Sequence, residues 1–269
     1  MLKKFNFLIA TSFCILLLAS CSDIPTTGET PTLGSVRVLH LSANAGTVDL
    51  LFDNRVFADT IFAFFNRSVS GTVPRFTNPA VAYLGNTGYI GVETGTRNLK
   101  VFAAPGGVAA RPPLTSGDTR VVAETNINVG SNKAYTVFVS DTAGTTGGII
   151  PVVVEDAVPS FPDLNVAQGS IRFGHFSPNA PAVRILATRT SSPGITNVEV
   201  FSSTSYKQIS GFTPIDSGTF RFNVVAGSDT VLTVNNQAIA RRRVYTLLAR
   251  GLVGGAGAAA LGATIYFNN

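Results

Sequence analysis

The sequence predicts an all-β protein that consists of two tandem immunoglobulin-like antiparallel β-sandwich domains after a lipoprotein signal peptide. Only 13% of the residues are charged and 45% are hydrophobic, a balance opposite to that of disordered chains. Glycine, threonine and valine are frequent, whereas glutamate and lysine are scarce, which favours strands over helices. Apolar residues alternate or come in short runs between Gly, Pro and Asn turns, and no stretch keeps a helical period.

Residues 1–20 are typical of a secretory signal peptide, in which a basic pair precedes a short apolar stretch. That stretch is too short for a membrane span. Small residues lead up to Cys21, and this ending resembles the lipobox of bacterial lipoproteins, whose cysteine is lipidated. The alternative is an ordinary signal peptide followed by a chance cysteine. Because Ser22 rather than Asp follows the cysteine, the resemblance implies an outer-membrane lipoprotein of a Gram-negative bacterium, facing either the periplasm or the outside.

The second cysteine, Cys14, would be removed with the signal peptide, so the mature chain would keep Cys21 alone and form no internal disulfide. Burial of apolar surface must therefore stabilise the fold. Residues 21–33 hold two prolines and many hydroxyl residues, and they are predicted to form the lipidated cysteine and a flexible tether.

The rest of the chain repeats itself. Residues 34–45 (GSVRVLHLSANA) return as residues 169–180 (GSIRFGHFSPNA), with Gly, Ser, Arg, His, Ser, Asn and Ala at a constant offset. We therefore predict one sandwich over residues 34–155, a linker over 156–168 and a second sandwich over 169–269, each with about seven strands.

The segment HFSPNAPAV at residues 175–183 resembles the opening of the domain of unknown function 4397 family, which is found in bacterial secreted and surface proteins. The family pattern is Arg-x-x-His-x-Ser-Pro-Asp/Asn-Ala-Pro-x-Val-Asp, followed later by Tyr-Thr-Val. Arg184 replaces the usual Asp, and the first copy has Ala43 and Gly46 where prolines are usual. The resemblance implies two tandem copies of an extracytoplasmic β-sandwich, and it carries no catalytic residues with it.

The two histidines, His40 and His175, occupy the same place in each repeat, followed by Asn44 and Asn179. A ligand-binding or acid–base role is one interpretation. The favoured interpretation is a half-buried ring that hydrogen-bonds to a neighbouring strand or turn and fixes the Ser-x-Asn turn. No second histidine or thiol in the same copy can complete a site, so we predict no catalytic residue, metal or cofactor.

Three other patterns have a structural interpretation that we prefer. Asp49, Asp53 and Asn54 suggest calcium, but the acids lie in a strand rather than in an oxygen-rich loop. The triplet 241–243 (RRR) could contact phosphate, although such a triplet is usually a solvated turn or a strand edge that blocks aggregation. The apolar stretch 247–266 is long enough to suggest a membrane span, but it holds an arginine and five glycines and is predicted to be a closing β-hairpin.

The predicted function is a non-enzymatic, lipid-anchored cell-envelope protein whose sandwiches bind an envelope protein or act as a spacer. The alternative is a glycan-binding module of a polysaccharide-capture assembly. The net charge of +5 falls to +3 without Lys3 and Lys4 of the signal peptide, and the basic residues are spread out apart from one triplet, which argues against nucleic acid as a partner.

Three Asp-Thr-apolar sites, at Thr60, Thr142 and Thr230, resemble an O-glycosylation sequon of exported proteins in some Gram-negative bacteria. If they are used, the mature protein will be heavier than its polypeptide and lipid together. Intact mass spectrometry measures this difference, and a mass equal to peptide plus lipid would show that the three threonines are unmodified.

Overall fold

A computed structural model of the protein describes residues 32–53, 55–56, 81–103, 121–141, 149–159, 167–192 and 194–268. Four residues with a predicted role, Cys21, Asn54, Thr60 and Thr142, lie outside these ranges. Thr32–Asn269 form one unit, and the description that follows concerns this unit.

The described residues of the first half of the unit form eight strands in two four-stranded sheets. The strands are β1 (Leu33–His40), β2 (Val48–Phe52), β3 (Arg55–Val56), β4 (Ile90–Glu93), β5 (Gly95–Ala103), β6 (Val121–Val129), β7 (Ala134–Val139) and β8 (Val152–Glu155). Their order is β4-β1-β7-β8 in one sheet and β3-β2-β5-β6 in the other. The two sheets enclose one apolar core and form the first sandwich.

The second half repeats this arrangement. Its strands are β9 (Gln168–Phe176), β10 (Val183–Arg189), β11 (Val198–Thr204), β12 (Thr213–Asp216), β13 (Gly218–Ala226), β14 (Asp229–Ile239), β15 (Val244–Arg250) and β16 (Gly262–Phe267), with a 3-10 turn at Gly257–Ala259. The sheet orders are β12-β9-β15-β16 and β11-β10-β13-β14. Each strand of the second sandwich thus has a counterpart in the first.

The prediction of an all-β sandwich fold is confirmed, and the described residues of each sandwich form eight strands where about seven were predicted. Each sandwich also contains one parallel pair, β1 with β7 and β9 with β15, inside otherwise antiparallel sheets. The predicted closing hairpin over residues 247–266 is confirmed, because β15 and β16 pair antiparallel. Within the described ranges, no helix is long and apolar enough to cross a membrane.

Alternation along the strands builds the two sandwich cores. In β1, Val36 and Val38 point into the first core, and in β9 Ile171 and Phe173 point into the second. Side chains of successive strand residues point to opposite faces. Arg37 and Leu39, which alternate with the two valines along β1, therefore lie on the outer face of the same sheet, yet they are buried as well.

This outer face is buried because the sheet that holds β1 packs against the sheet that holds β9. Leu39, Leu41 and Phe138 from the first sandwich meet Phe176 and Leu248 from the second in a third apolar cluster. The rings of Phe138 and Phe176 are stacked with centroids 4.5 Å apart. The two sandwiches therefore share a core.

A buried ion pair lies beside this shared core. Arg172 Nη2 of β9 is 2.5 Å from Asp156 Oδ1, and the two side chains are 2% and 0% exposed. Asp156 Oδ2 also accepts hydrogen bonds from Thr136 Oγ1 at 2.5 Å and from the Tyr89 hydroxyl at 2.7 Å. Asp156 is the first residue of the predicted linker, whose last residue, Gln168, begins β9. Part of the predicted linker is thus fixed between the sandwiches.

Arg37 occupies the position in β1 that Arg172 occupies in β9. Arg37 donates to Thr136 Oγ1 at 3.0 Å and across the interface to the carbonyl oxygen of Phe267 at 2.9 Å. Arg172 donates in the same way to Thr246 Oγ1 at 2.9 Å. Burial lowers the pKa of Arg37, and Arg172 acts in the same direction, whereas the neighbouring Tyr89 and Asp156 oppose the shift. The contacts thus come in equivalent pairs, as in a two-fold interface.

A second polar cluster closes the interface at its rim. Asp141 of the first sandwich accepts a short hydrogen bond from the Tyr206 hydroxyl and pairs with Lys207 Nζ at 2.6 Å. Tyr206 also contacts Ser140 Oγ at 2.8 Å. Asp141 has φ +95°, and its counterpart in the second sandwich is Gly251, with φ +81°. Glycine adopts this conformation without strain, whereas aspartate does not. We infer that aspartate is present here because its carboxylate makes these contacts.

The corresponding strands β1 and β9 of the two sandwiches run in the same direction. Arg37 and Arg172, in the first parts of β1 and β9, share the buried charge network, while Phe138, paired with Leu39 near the end of β1, stacks on Phe176 at the end of β9. We call the end where β1 begins the proximal end and the end where β1 stops the distal end. The loops that follow β1 and β9 therefore both lie at the distal end.

Replacement of Asp156 by asparagine tests the buried ion pair. Asp156→Asn keeps the shape of the side chain but leaves the Arg172 guanidinium buried without a counter-charge, so we expect the free energy of unfolding to fall by about 3–5 kcal/mol. Glu155→Gln is the matched control, because the same change at the next residue affects an ion pair with Lys133 that is about half exposed. Denaturant unfolding of the whole chain measures both, and an equal loss in the two variants would contradict the role of the buried pair.

Candidate functional site

His40, the last residue of β1, lies at the distal end with its ring fully buried. Its Nε2 is 2.7 Å from the carbonyl oxygen of Gly46, and the backbone N–H of Ser42 donates to its Nδ1 at 3.4 Å. Because a carbonyl oxygen only accepts and a backbone N–H only donates, these contacts place the ring proton on Nε2. Both ring nitrogens therefore hold the turn that follows β1.

His175 makes the same contacts in the second sandwich. Its Nε2 donates to the carbonyl oxygen of Pro181 at 2.9 Å, and Ser177 N–H donates to its Nδ1 at 3.3 Å. A tyrosine meets the edge of each histidine ring: Tyr83 lies 6.2 Å from His40 and Tyr206 lies 6.2 Å from His175, both T-shaped. The sequence interpretation expected half-buried rings, but both are fully enclosed.

These contacts determine what the histidines can do chemically. Burial lowers the pKa of His40 and of His175, and the hydrogen bonds to backbone carbonyls oppose this shift only in part, so both rings are neutral near pH 7. The Nδ1 lone pair that a metal would need already accepts a backbone N–H. Among the residues that the structure describes, no group of three or more His, Cys, Asp or Glu side chains could hold a metal ion.

Asn179 ties together two loops at the distal end. Its side-chain amide donates to the Val253 carbonyl oxygen and accepts from the Val253 N–H, both at 2.9 Å. Ser177 Oγ donates to the Gly251 carbonyl oxygen at 2.7 Å. The loop after β9 is thereby fixed to the loop between β15 and β16. Asn44 holds the corresponding position in the first sandwich and is exposed.

An apolar cleft of about 320 Å³ opens between the two sheets at this end of the second sandwich. Val183, Val224 and Val231 line it from one sheet, and the His175 ring, Ala249 and Leu261 line the other side. Its volume is at the lower end of the range for small-molecule sites. Because both nitrogens of His175 are engaged elsewhere, the lining offers apolar contact and little hydrogen bonding.

The first sandwich differs at one position that borders this cleft. Ala249 pairs with His175 in the second sandwich, whereas Val139 pairs with His40 in the first. The side chain of Val139 is fully buried in the first core. The smaller side chain of Ala249 therefore leaves space beside the His175 ring, whereas Val139 occupies the corresponding place beside His40.

A family assignment adds to this geometry. Residues 34–186 match the family model described as "Domain of unknown function (DUF4397)". This segment is more than half of the chain and runs from β1 into β10. The chain belongs to the DUF4397 family. The resemblance carried by the motif at residues 175–183 is thereby confirmed for the family. The match comprises one copy, which covers the first sandwich, β9 and part of β10.

Solved structures resemble this DUF4397 protein only distantly. A Bacteroides ovatus protein provisionally described as a cell adhesion protein is 8% identical, with 88% of this chain and 96% of that chain covered and a TM-score of 0.24. A streptococcal virulence factor that binds α-glucan is 8% identical, with 80% and 92% covered and a TM-score of 0.23. The tip fimbrial protein Mfa3 of Porphyromonas gingivalis is 9% identical, with 87% and 99% covered and a TM-score of 0.23. No curated protein sequence matches the chain.

The acidic residues considered for calcium have other contacts in this DUF4397 protein. Asp53 follows β2, and its carboxylate accepts hydrogen bonds from Arg97 Nη1 at 3.1 Å and from the Asn98 N–H at 2.8 Å. Asp49 is half-buried within β2. A bound calcium would need more oxygen ligands than these two positions supply.

The remaining predicted residues lie on the surface. The triplet 241–243 is exposed in the turn between β14 and β15, and Thr230 is exposed in β14. Sequence reasoning missed the residues at the interface, Asp141, Asp156 and Tyr206. The arginines that share the interface could have been recognised, because Arg37 and Arg172 recur at the same place of both repeats. Their burial is visible only in the tertiary structure.

Removal of either histidine ring tests its structural role. His40→Ala and His175→Ala should each lower the free energy of unfolding by about 1–3 kcal/mol, because two hydrogen bonds are lost and a cavity opens. Denaturant unfolding of the whole chain measures this loss, with Ser203→Ala at an exposed position of β11 as the control. Unchanged stability together with loss of metal or ligand binding would instead indicate a functional site.

Proposed function

We propose that this chain is a lipid-anchored protein of the outer membrane of a Gram-negative bacterium, and that its two sandwiches bind a partner without catalysing a reaction. The lipobox-like ending at Cys21 supports the anchor. We also propose that the second sandwich is a further copy of the family domain. Its equal strand order and its equivalent histidine and arginine contacts support this interpretation.

The proposal rests on the contacts made by the side chains that could in principle take part in catalysis. Both histidines have both ring nitrogens in hydrogen bonds to backbone groups, and Asp156 is held by Arg172, Thr136 and Tyr89. A catalytic group needs a nucleophile, base or acid that faces a substrate. These groups face the fold instead, which favours a binding or spacer role.

The distal end of the second sandwich is the binding surface that this geometry favours. The apolar cleft opens there, and Val253 and Val231 at its rim are 49% and 42% exposed. Asn179 holds the loop around Val253 in place, so little conformational entropy is lost on binding. The shared core between the sandwiches holds this surface at a fixed distance from the proximal end, where the chain enters β1.

A glycan remains the alternative partner. Carbohydrate-binding surfaces usually present exposed aromatic rings. Within the described ranges Phe267 is the exposed aromatic side chain, and it lies at the proximal end, away from the cleft. The apolar rim therefore favours an envelope protein.

Two substitutions of the tagged full-length protein test the two parts of the proposal. Cys21→Ala should remove acylation and move the protein from the detergent phase to the aqueous phase. Val253→Asp should reduce capture of the envelope partner more than about tenfold, because a charge would be buried against apolar surface. Cross-linking in cells, followed by capture from solubilised envelopes, measures the second effect.

Val198→Asp is the matched control, because Val198 in β11 is also 49% exposed but lies towards the proximal end. Unchanged detergent partitioning of Cys21→Ala would exclude the anchor. Equal loss of the partner in both aspartate variants would exclude the cleft as the binding surface.

A further inference from the structure

The turn between β14 and β15 carries three consecutive exposed arginines at the proximal end. Arg242 N–H donates to the carbonyl oxygen of Gln168, the first residue of β9, and Ser170 N–H donates to the carbonyl oxygen of Arg243. The first sandwich has the same turn: Asn132 N–H donates to Leu33 and Ser35 N–H donates to Lys133. The arginine turn therefore lies at the end of the unit where the chain enters β1.

The two equivalent turns differ in charge. Ser131, Asn132 and Lys133 stand in the first sandwich where Arg241, Arg242 and Arg243 stand in the second. The left-handed residue of each turn, Asn132 at φ +57° and Arg242 at φ +53°, fixes this alignment. The same backbone conformation thus accommodates different side chains, and the turn of the second sandwich is the strongly basic one.

The strand next to each turn, β8 or β16, also differs in charge between the two sandwiches. Glu155 pairs with Tyr135 at the end of β8, and its carboxylate lies 2.5 Å from Lys133 Nζ. Phe267 pairs with Tyr245 at the corresponding place in β16. The acid that neutralises the basic turn in the first sandwich is therefore replaced by an aromatic ring that is 63% exposed.

Several other charged side chains at the proximal end are held in ion pairs. They form three groups of ion pairs: Arg97 with Asp53 and Glu93, Lys133 with Glu155, and Arg189 with Asp216. No ion pair joins Arg241 or Arg243 to another residue of the described ranges. Arg241 and Arg243 therefore present two exposed positive charges at this end that no carboxylate of the described residues pairs with.

We propose that Arg241, Arg242, Arg243 and Phe267, which we call the basic face, contact the phosphate groups of an anionic membrane surface. This proposal rests on the lipid anchor of the proposed function, which would hold the proximal end near the membrane. Arginine binds phosphate through a planar fork of N–H donors. An exposed aromatic ring beside basic residues is typical of side chains at the membrane–water interface.

Vesicle binding of the unacylated mature chain tests the basic face separately from the anchor. The chain begins at residue 21 and carries Cys21→Ala; the described cores lie within residues 32–268 and are therefore retained. We expect sedimentation with phosphatidylglycerol-containing vesicles, weak binding to pure phosphatidylcholine vesicles and a decrease with salt. Each arginine removed should weaken binding about fivefold.

The residues of the first sandwich indicate substitutions that the second sandwich should tolerate. Arg241→Ser with Arg242→Asn copies the residues of the first turn, and Phe267→Glu copies Glu155, so both should fold and both should weaken vesicle binding. Arg184→Glu is the charge control, because Arg184 is the second residue of β10 at the distal end, where it forms an exposed ion pair with Glu199. Thermal unfolding verifies that each variant is folded.

Three results would overturn the proposal: no binding of the parent chain to anionic vesicles, equal weakening by Arg184→Glu and by the turn variant, or displacement from vesicles by inorganic phosphate at concentrations that leave ionic strength unchanged. The last result would indicate a site for free phosphate. Because the acyl chains are absent from this experiment, its outcome is independent of the detergent partitioning of Cys21→Ala.

Discussion

The contact between the outer faces of two sheets is the constraint on which the rest of this structure depends. Arg37, Arg172 and Asp156 are removed from water at this contact, and burial of charged groups is strongly unfavourable unless every group is paired. The ion pair, the two threonine hydroxyls and the Tyr89 hydroxyl provide these partners. Because these contacts join set positions of the two sheets, they oppose sliding of one sheet along the other.

The consequence for function is a fixed relation between the two ends of the unit. The cleft and the tied loops lie at the distal end, whereas the chain enters β1 at the proximal end. A flexible linker would have allowed each sandwich to present its loops independently. The shared core around Phe138 and Phe176 makes them present their loops together, facing the same way.

The two sandwiches share their strand order, and several of the positions at which they differ lie near an end or the interface. Val139 and Ala249 border the histidines, Asp141 and Gly251 follow the parallel strand, and Glu155 and Phe267 end the last strand. The hydrogen bonds of His40 and His175 are the same in both. These shared contacts keep the turn after β1 and the turn after β9 alike, while the residues around them differ.

The sequence by itself determined the strand pattern, the duplication, the place of the histidines beside a turn and the family, because these depend on local periodicity and on repeated motifs. It did not determine that the face of β1 carrying Arg37 and Leu39 would be buried. Alternation tells which residues share a face, but not whether solvent or a second sheet covers that face. The tertiary structure alone decided the shared core, the partner of Asp156 and the cleft beside Ala249, since each forms between residues that are distant in the sequence.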